Sequence, residues 1–546
     1  MLHGSNLYRK MAGNLGIVDK PESRNIRRIV ATALPLLFLA IPSLWLIAAV
    51  PPLWRGSDAY VQTVFPPGAA TILRHGPLYC VLSRVPLWLG YLISRAGPVV
   101  SLGHFIKHSQ LTDAGVFALI IVQHVSLWCA ALYLIQAIAS TLFLRLFLAV
   151  FFATHPLFYT FAHCIGSETL SMILALFLAG SGVRVLLLYP KISLHDWIVF
   201  SVLLSCCILT RHINCVLAAM LPVTMLLLTA RRCLRISVHT RDATPNANLS
   251  LSKATYVWLI SIAAALISLL FATSFTHLLC WRAHTQWRST FGFTFAWRLN
   301  FLAPMPTMLR NGLLDNVASK CKLAETRQLI AILKDQFGKN KTWDPARFLR
   351  EEVDPVFDLN GKLRGEKFDR SLNEMASAFL WPPSAAFRCA ALHDFRDATA
   401  LGEGDVVQFL FTSTNQIFDQ RERMPQFSRL KTFRESGDEL MRARKRLYFR
   451  WWNVLSLRSW VVITCIVFLL TLVVDNQRRH SNVSLVLFSG GLCALGLLTV
   501  LLNCFCVQLL PRFILPAMEF TLISIMILLA LIFTGYEPFE QELPQT

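Results

Sequence analysis

From Ile29 to Val50 the chain reads IVATALPLLFLAIPSLWLIAAV. The run holds no charged residue, and at a helical rise of about 1.5 Å per residue it reaches across the roughly 30 Å hydrocarbon core of a bilayer. Ahead of it stand Arg9, Lys10, Lys20, Arg24, Arg27 and Arg28. A basic tail before an apolar span predicts that the tail stays on the cytoplasmic side. The run is too long for the apolar part of a secretory leader, and no small-residue cleavage site follows it, so it reads as a retained anchor.

Working outward, runs of the same kind recur at 114–137, 141–161, 167–189, 196–210, 213–230, 255–279, 459–474, 483–509 and 513–533, ten spans with the first. Composition agrees, with 55% hydrophobic and 15% charged residues, against about a quarter charged in soluble domains. The formal net charge of +20 does not point to nucleic acid, because the basic residues flank apolar spans. With the N-terminus inside, the cytoplasmic connections carry or border Arg184 and Lys191, then Arg231, Arg232, Arg235, Arg241 and Lys253, then Arg478 and Arg479. Every such loop is basic, so charge and hydrophobicity give one topology.

The expected fold is therefore an all-α polytopic membrane protein of about ten transmembrane helices. Residues 1–28 form a cytoplasmic tail and 29–280 an N-terminal transmembrane module, whose external loop 51–113 carries juxtamembrane helices. A small, mostly helical external domain spans 281–458, transmembrane helices follow over 459–535, and 536–546 is a tail. Within the first loop, the apolar stretch 78–93 is broken by Arg84 and Pro86. A full span there would invert every later loop, so it predicts a helix lying on or dipping into the membrane. In the external domain, apolar positions recur every three or four residues over 313–337. The stretch 440–452, basic and carrying Phe449, Trp451 and Trp452, suits a membrane surface or a packing role on the spans. Of the 14 cysteines most lie in apolar spans, where Cys behaves as a small hydrophobe. Cys280, Cys321 and Cys389 leave room for one external disulfide.

Ionisable residues at a bilayer are costly and informative. Asp58 and His75 fall in the first external loop, Glu168 at the external start of the fourth span, Arg211 at the end of the fifth and Arg512 at the turn before the last. Taken singly, Arg211 and Arg512 read equally well as snorkelling anchors, Glu168 as a helix-dipole partner and Asp58 as a cap. Together, groups of both signs converge on one rim. A transporter would more often place them at mid-depth in repeated halves, and neither feature stands out.

Taken in order, Trp54-Arg-Gly-Ser-Asp58-Ala-Tyr60 and His75-Gly-Pro-Leu-Tyr79 resemble the first external loop of the GT-C glycosyltransferases, polytopic enzymes that use polyprenyl-phosphate sugars. His155-Pro-Leu-Phe-Tyr159 with Ser167-Glu168-Thr-Leu, Leu209-Thr-Arg211 and Arg512-Phe-Ile-Leu-Pro516 are similar to later elements of that superfamily. The chain departs from the pattern at Ala59, where a second acid is common, at His212 in place of Pro, and at Phe513 in place of Tyr. The resemblance implies a membrane glycosyltransferase of the mannosyltransferase or aminoarabinose-transferase kind, in a bacterial inner membrane. It implies a polyprenyl-phosphate-linked sugar as donor and an envelope glycan, lipid or protein as acceptor, with membrane lipid around the site and no nucleic acid. Asp58 would be the general base, and Glu168, Arg211, Arg512, His75, Tyr79 and Tyr60 would bind substrate. It fixes no definite cofactor, and a divalent cation held by Asp58 and Glu168 stays open. A flippase for a lipid-linked glycan, a membrane glycan polymerase or ligase, and a non-catalytic subunit are the alternatives.

Overall fold

The computed structural model describes residues 21–66, 76–189, 191–238, 245–282, 289, 291–339, 343–345, 348–357, 365–419, 422, 424–437, 455–478 and 483–534. Helix α1 (Pro21–Ala49) ends at Pro51-Pro52 and is followed by strand β1 (Leu53–Trp54), α2 (Gly56–Val64), α3 (Pro77–Leu82), α4 (Arg84–Ser94) and α5 (Leu102–Lys107). Then come α6 (Asp113–Ile138), α7 (Leu142–Ala153), α8 (Pro156–Ala162), β2 (Cys164–Ile165), α9 (Ser167–Leu188), α10 (Leu194–Thr210), a 3-10 turn (His212–Ala219), α11 (Met220–Val238) and α12 (Pro245–Arg282). Starts are set by side-chain caps: Thr112 accepts the amide of Gly115, Thr141 that of Leu144, and Ser193 with Asp196 forms a reciprocal capping box, each satisfying a donor the helix leaves open.

Beyond α12 the chain builds α13 (Phe291–Arg298), α14 (Thr307–Lys320), α15 (Ala324–Lys339), a π-turn (Phe348–Val353), α16 (Asp354–Phe357), α17 (Glu366–Leu380), α18 (Ala385–Ala400), α19 (Glu403–Asp419), α20 (Pro425–Ser428) and α21 (Lys431–Ser436). It closes with α22 (Leu457–Arg478), α23 (Val483–Cys506), a 3-10 turn (Pro511–Ile514) and α24 (Leu515–Thr534).

Among the described residues eight helices are long and apolar enough to cross a membrane, and the chain is an all-α polytopic membrane protein. Two of the ten expected spans take other forms. The one at 141–161 is α7 and α8, bent by 68° at the break. Pro156 removes an amide, and His155 before it is extended (φ −98°, ψ 101°), the conformation that proline imposes on its predecessor. The one at 196–210 is α10, a shorter apolar helix.

The broken stretch at 78–93 is two helices, α3 and α4, meeting at Ser83. One face of α4 packs on α6 so tightly that a Cβ on Gly90 would lie 2.3 Å from the Gly115 Cα. Segment 281–458 is built around more than one core. Phe295, Leu314, Leu329, Phe368 and Phe379 make an apolar centre among α13, α14, α15 and α17. Farther on, Val406 and Leu410 of α19 enter the core of the bundle, while Ile417, Phe427 and Phe433 pack with Trp54, Leu87 and Phe105 of the first loop. Asp113 seals that junction by accepting the amides of Lys431 (3.1 Å) and Thr432 (2.8 Å) and the Thr432 hydroxyl (2.7 Å). Cys280, Cys321 and Cys389 all carry free thiols, so the disulfide allowed for them does not form. The stretch 440–452 lies outside the described residues.

Candidate functional site

A two-residue parallel bridge organises the site. Leu53 pairs with Cys164 and Trp54 with Ile165, and the register is held by Leu53 N–H on the His163 carbonyl (3.0 Å) and Arg55 N–H on that of Ile165 (3.3 Å). Two residues past each strand the chain turns into a helix, α2 on one side and α9 on the other. The first turn needs a left-handed residue, and Gly56 (φ +56°) supplies it. Arg55 thereby lies beside both Asp58, in the first turn of α2, and Glu168, in the first turn of α9.

Arg55 is the hub. Its Nη1 contacts the Asp58 carboxylate and its Nε that of Glu168. Glu168 also faces Arg211 Nη1 at 3.6 Å, and Asp58 faces Arg512 Nη1 at 3.6 Å. Four of the five residues expected to converge, Asp58, Glu168, Arg211 and Arg512, thus share one end of the bundle, joined by Arg55, which the sequence reading left out. Arg55 and Glu168 are buried, with side-chain exposures of 5% and 1%, whereas Arg211 and Arg512 keep 20% and 19%. The two half-buried guanidinium groups are also the two with long contacts, beyond hydrogen-bond reach. Arg512 lies over the rings of Phe513 (5.0 Å) and Phe409 (5.8 Å), so α19 forms one flank of the site.

Neighbours hold this frame from behind. The Gln62 amide accepts the Ser167 N–H (3.0 Å) and donates to the Ser167 hydroxyl (3.2 Å), fixing the start of α9. Tyr79 accepts the Gly166 N–H (3.0 Å) and donates to Gln123 (3.1 Å). It is 3% exposed, and its hydroxyl is used in positioning the backbone ahead of Glu168. Tyr60 packs its ring edge-on against Phe65 and Phe427. His75 lies outside the described residues. Next to it, Gly76 (φ +82°) approaches the last turn of α10 so closely that a Cβ would stand 2.4 Å from the Leu209 carbonyl oxygen. This contact seats α3 directly beside Arg211.

Electrostatically the cluster is three guanidinium groups against two carboxylates. Burial works to lower the Arg55 pKa, but Glu168 and Asp58 outweigh it and hold it above its ordinary value. Arg211 shows the opposite balance. Burial pulls it down, Glu168 only partly offsets this, and Arg55 adds repulsion. A group in that position gains from an incoming anion. Guanidinium forks match phosphate and carboxylate oxygens, so Arg211 and Arg512 form a surface suited to an anion with Asp58 at its edge. The cation that Asp58 and Glu168 share in this arrangement is the Arg55 guanidinium. Among the described residues no group of three His, Cys, Asp or Glu side chains could hold a metal ion.

One ionisable side chain not singled out from the sequence lies inside a span: Glu519 is 3% exposed within α24. It is five residues into the helix, toward the same end as Arg512.

No family model, curated protein or solved structure matches the chain.

Proposed function

We propose that this chain is a membrane glycosyltransferase that moves a sugar from a polyprenyl-phosphate donor to a cell-envelope acceptor at the outer face of a bacterial inner membrane. The reading rests on the approach of Asp58 to Arg512, 3.6 Å apart although 454 residues separate them, within a net-positive cluster at one end of the spans. The side follows from charge: the basic connections lie at the other ends of the same helices, as with Arg184 and Glu168 on α9, and basic loops stay inside.

In this mechanism an acceptor hydroxyl attacks the anomeric carbon while the bond from that carbon to the phosphate oxygen breaks. Asp58 takes the hydroxyl proton. Arg512 and Arg211 stabilise the charge that grows on the departing lipid phosphate, an effect that depends on their being held in place beforehand. Glu168 is buried on Arg55 and serves to orient the cluster, which leaves Asp58 as the more accessible of the two cluster carboxylates. One base and one displacement invert the anomeric configuration. Lipid-linked phosphate is pinned at the membrane surface, which accounts for a charged site at the rim of the bundle. The basic excess of segment 281–458 favours an anionic acceptor by long-range attraction.

The test is Asp58→Asn in the purified chain, supplied with polyprenyl-phosphate sugars and an extract of envelope acceptors. Transfer should vanish while yield and thermal behaviour match the parent chain. Undiminished transfer would remove Asp58 from the mechanism.

A further inference from the structure

From Ala59 to Thr112 the chain carries no acidic residue. The next acid, Asp113, is occupied by the amides of Lys431 and Thr432. Within this stretch Arg84 is buried and bound to Ser109 and to the carbonyls of Phe65 and Gln62, but Arg95, His104, Lys107 and His108 are all exposed. Beside them runs an apolar stripe. Leu82, Val85, Leu89 and Ile93 recur at helical spacing along α3 and α4, all exposed, Ile93 to 75%, and Val99 in the following loop is 89% exposed. The opposite face of α4, with Leu87, Gly90 and Tyr91, is buried.

The cations and the stripe are held together. Trp88 donates to the Val100 carbonyl (2.8 Å) and Tyr91 to that of Pro98 (3.1 Å), which folds loop 95–100 back on α4. The Tyr91 and Phe105 rings, 5.6 Å apart, bring α5 alongside. Arg95 therefore sits between Ile93 and Val99 at the end of the stripe, with Lys107 and the His104–His108 pair on the adjoining helix. An apolar face bordered by cations, on helices too short to span, matches the boundary between acyl chains and head groups. Long basic side chains there place their charge at phosphate level.

We propose that this elbow of α4 and α5 is a docking surface for anionic phospholipid head groups. The stripe lies among acyl chains, and Arg95 and Lys107 pair with the lipid phosphates. The inference stands apart from the sugar-transfer reading, since it uses none of the five residues of the ion cluster.

The full chain, purified in detergent, is incubated with equal amounts of phosphatidylglycerol and phosphatidylcholine, and retained lipid is counted by native mass spectrometry. The parent chain should prefer phosphatidylglycerol. Each surface cation is worth about fivefold in such a preference, so Arg95→Gln with Lys107→Gln should reduce it by up to roughly thirtyfold. Exchanging the same two positions conservatively, Arg95→Lys with Lys107→Arg, should preserve it. The proposal is overturned if the parent chain shows no preference, or if the neutral pair retains it in full. It is also overturned if millimolar inorganic phosphate strips the lipid, which would mark a free-phosphate site instead.

Discussion

Replacing Arg55 by Met removes the cation that two carboxylates share, and the consequences for them differ. Asp58 keeps Arg512 at 3.6 Å and stays partly open to solvent. Glu168 is 1% exposed and keeps only the long contact to Arg211 at 3.6 Å among the described ion pairs. Breaking a buried pair by removing one partner costs about 3–5 kcal/mol, because the remaining charge is left without compensation in a low dielectric. Removing both charges is far milder, often near neutral. Arg55→Met should therefore lose about 3–5 kcal/mol, and Arg55→Met combined with Glu168→Gln should recover most of that. Unfolding in mixed micelles, titrated with a denaturing detergent, measures both. Equal stability of Arg55→Met and the parent chain would refute the hub role. So would a double variant no more stable than the single one, since the loss would then come from packing and not from the orphaned carboxylate.

Arg512→Ala should lower kcat/KM for a polyprenyl-phosphate sugar by about a hundredfold or more, the usual loss for one charge-stabilising donor, with Arg512→Lys recovering only part; steady-state kinetics with varied donor decide it. Tyr79→Phe strands the Gly166 amide and one Gln123 lone pair, at about 1–3 kcal/mol for a buried unsatisfied group, which the same unfolding titration measures. Glu374 accepts the amides of Lys322 and Leu323 and the Thr326 hydroxyl; burial would raise its pKa, but these donors outweigh it and hold it below the ordinary 4.5. Its stabilisation is thus complete above that value and drains away as pH falls through the lower folded-state pKa, so amide exchange at Lys322 and Leu323 should accelerate on acidification, and Glu374→Gln should abolish the acid dependence. A product sugar with retained anomeric configuration, read by NMR, would contradict a single displacement at Asp58.

Much of the site was readable because a charge at a span end stands out against apolar neighbours: Glu168, Arg211 and Arg512 each stand at the end of a hydrophobic run, and Asp58 follows the first run by eight residues. Arg55 lies within the same quoted motif, yet a basic residue three before an acid looks like an ordinary local pair. Its second partner, Glu168, is 113 residues on, brought near by a bridge of two residue pairs, too short to leave any alternating pattern. The bend at His155-Pro156 had its proline in plain view, but apolar residues on both sides read as one continuous span. The packing of α19 to α21 on the first loop was invisible for another reason. Periodicity tells which face of a helix is apolar, not which distant segment covers it.

The two-residue bridge and the late turn that completes the cluster also set a schedule for biogenesis. Arg55 leaves the ribosome early, but Arg512 comes 457 residues later, and synthesis at about 5–20 residues per second puts roughly 25 to 90 s between them. Through that interval the nascent chain already carries Asp58 and Arg55 while lacking the Arg512 guanidinium that faces Asp58 at 3.6 Å. A chain cut short before the final span lacks Arg512, so the ion cluster is complete only in finished molecules.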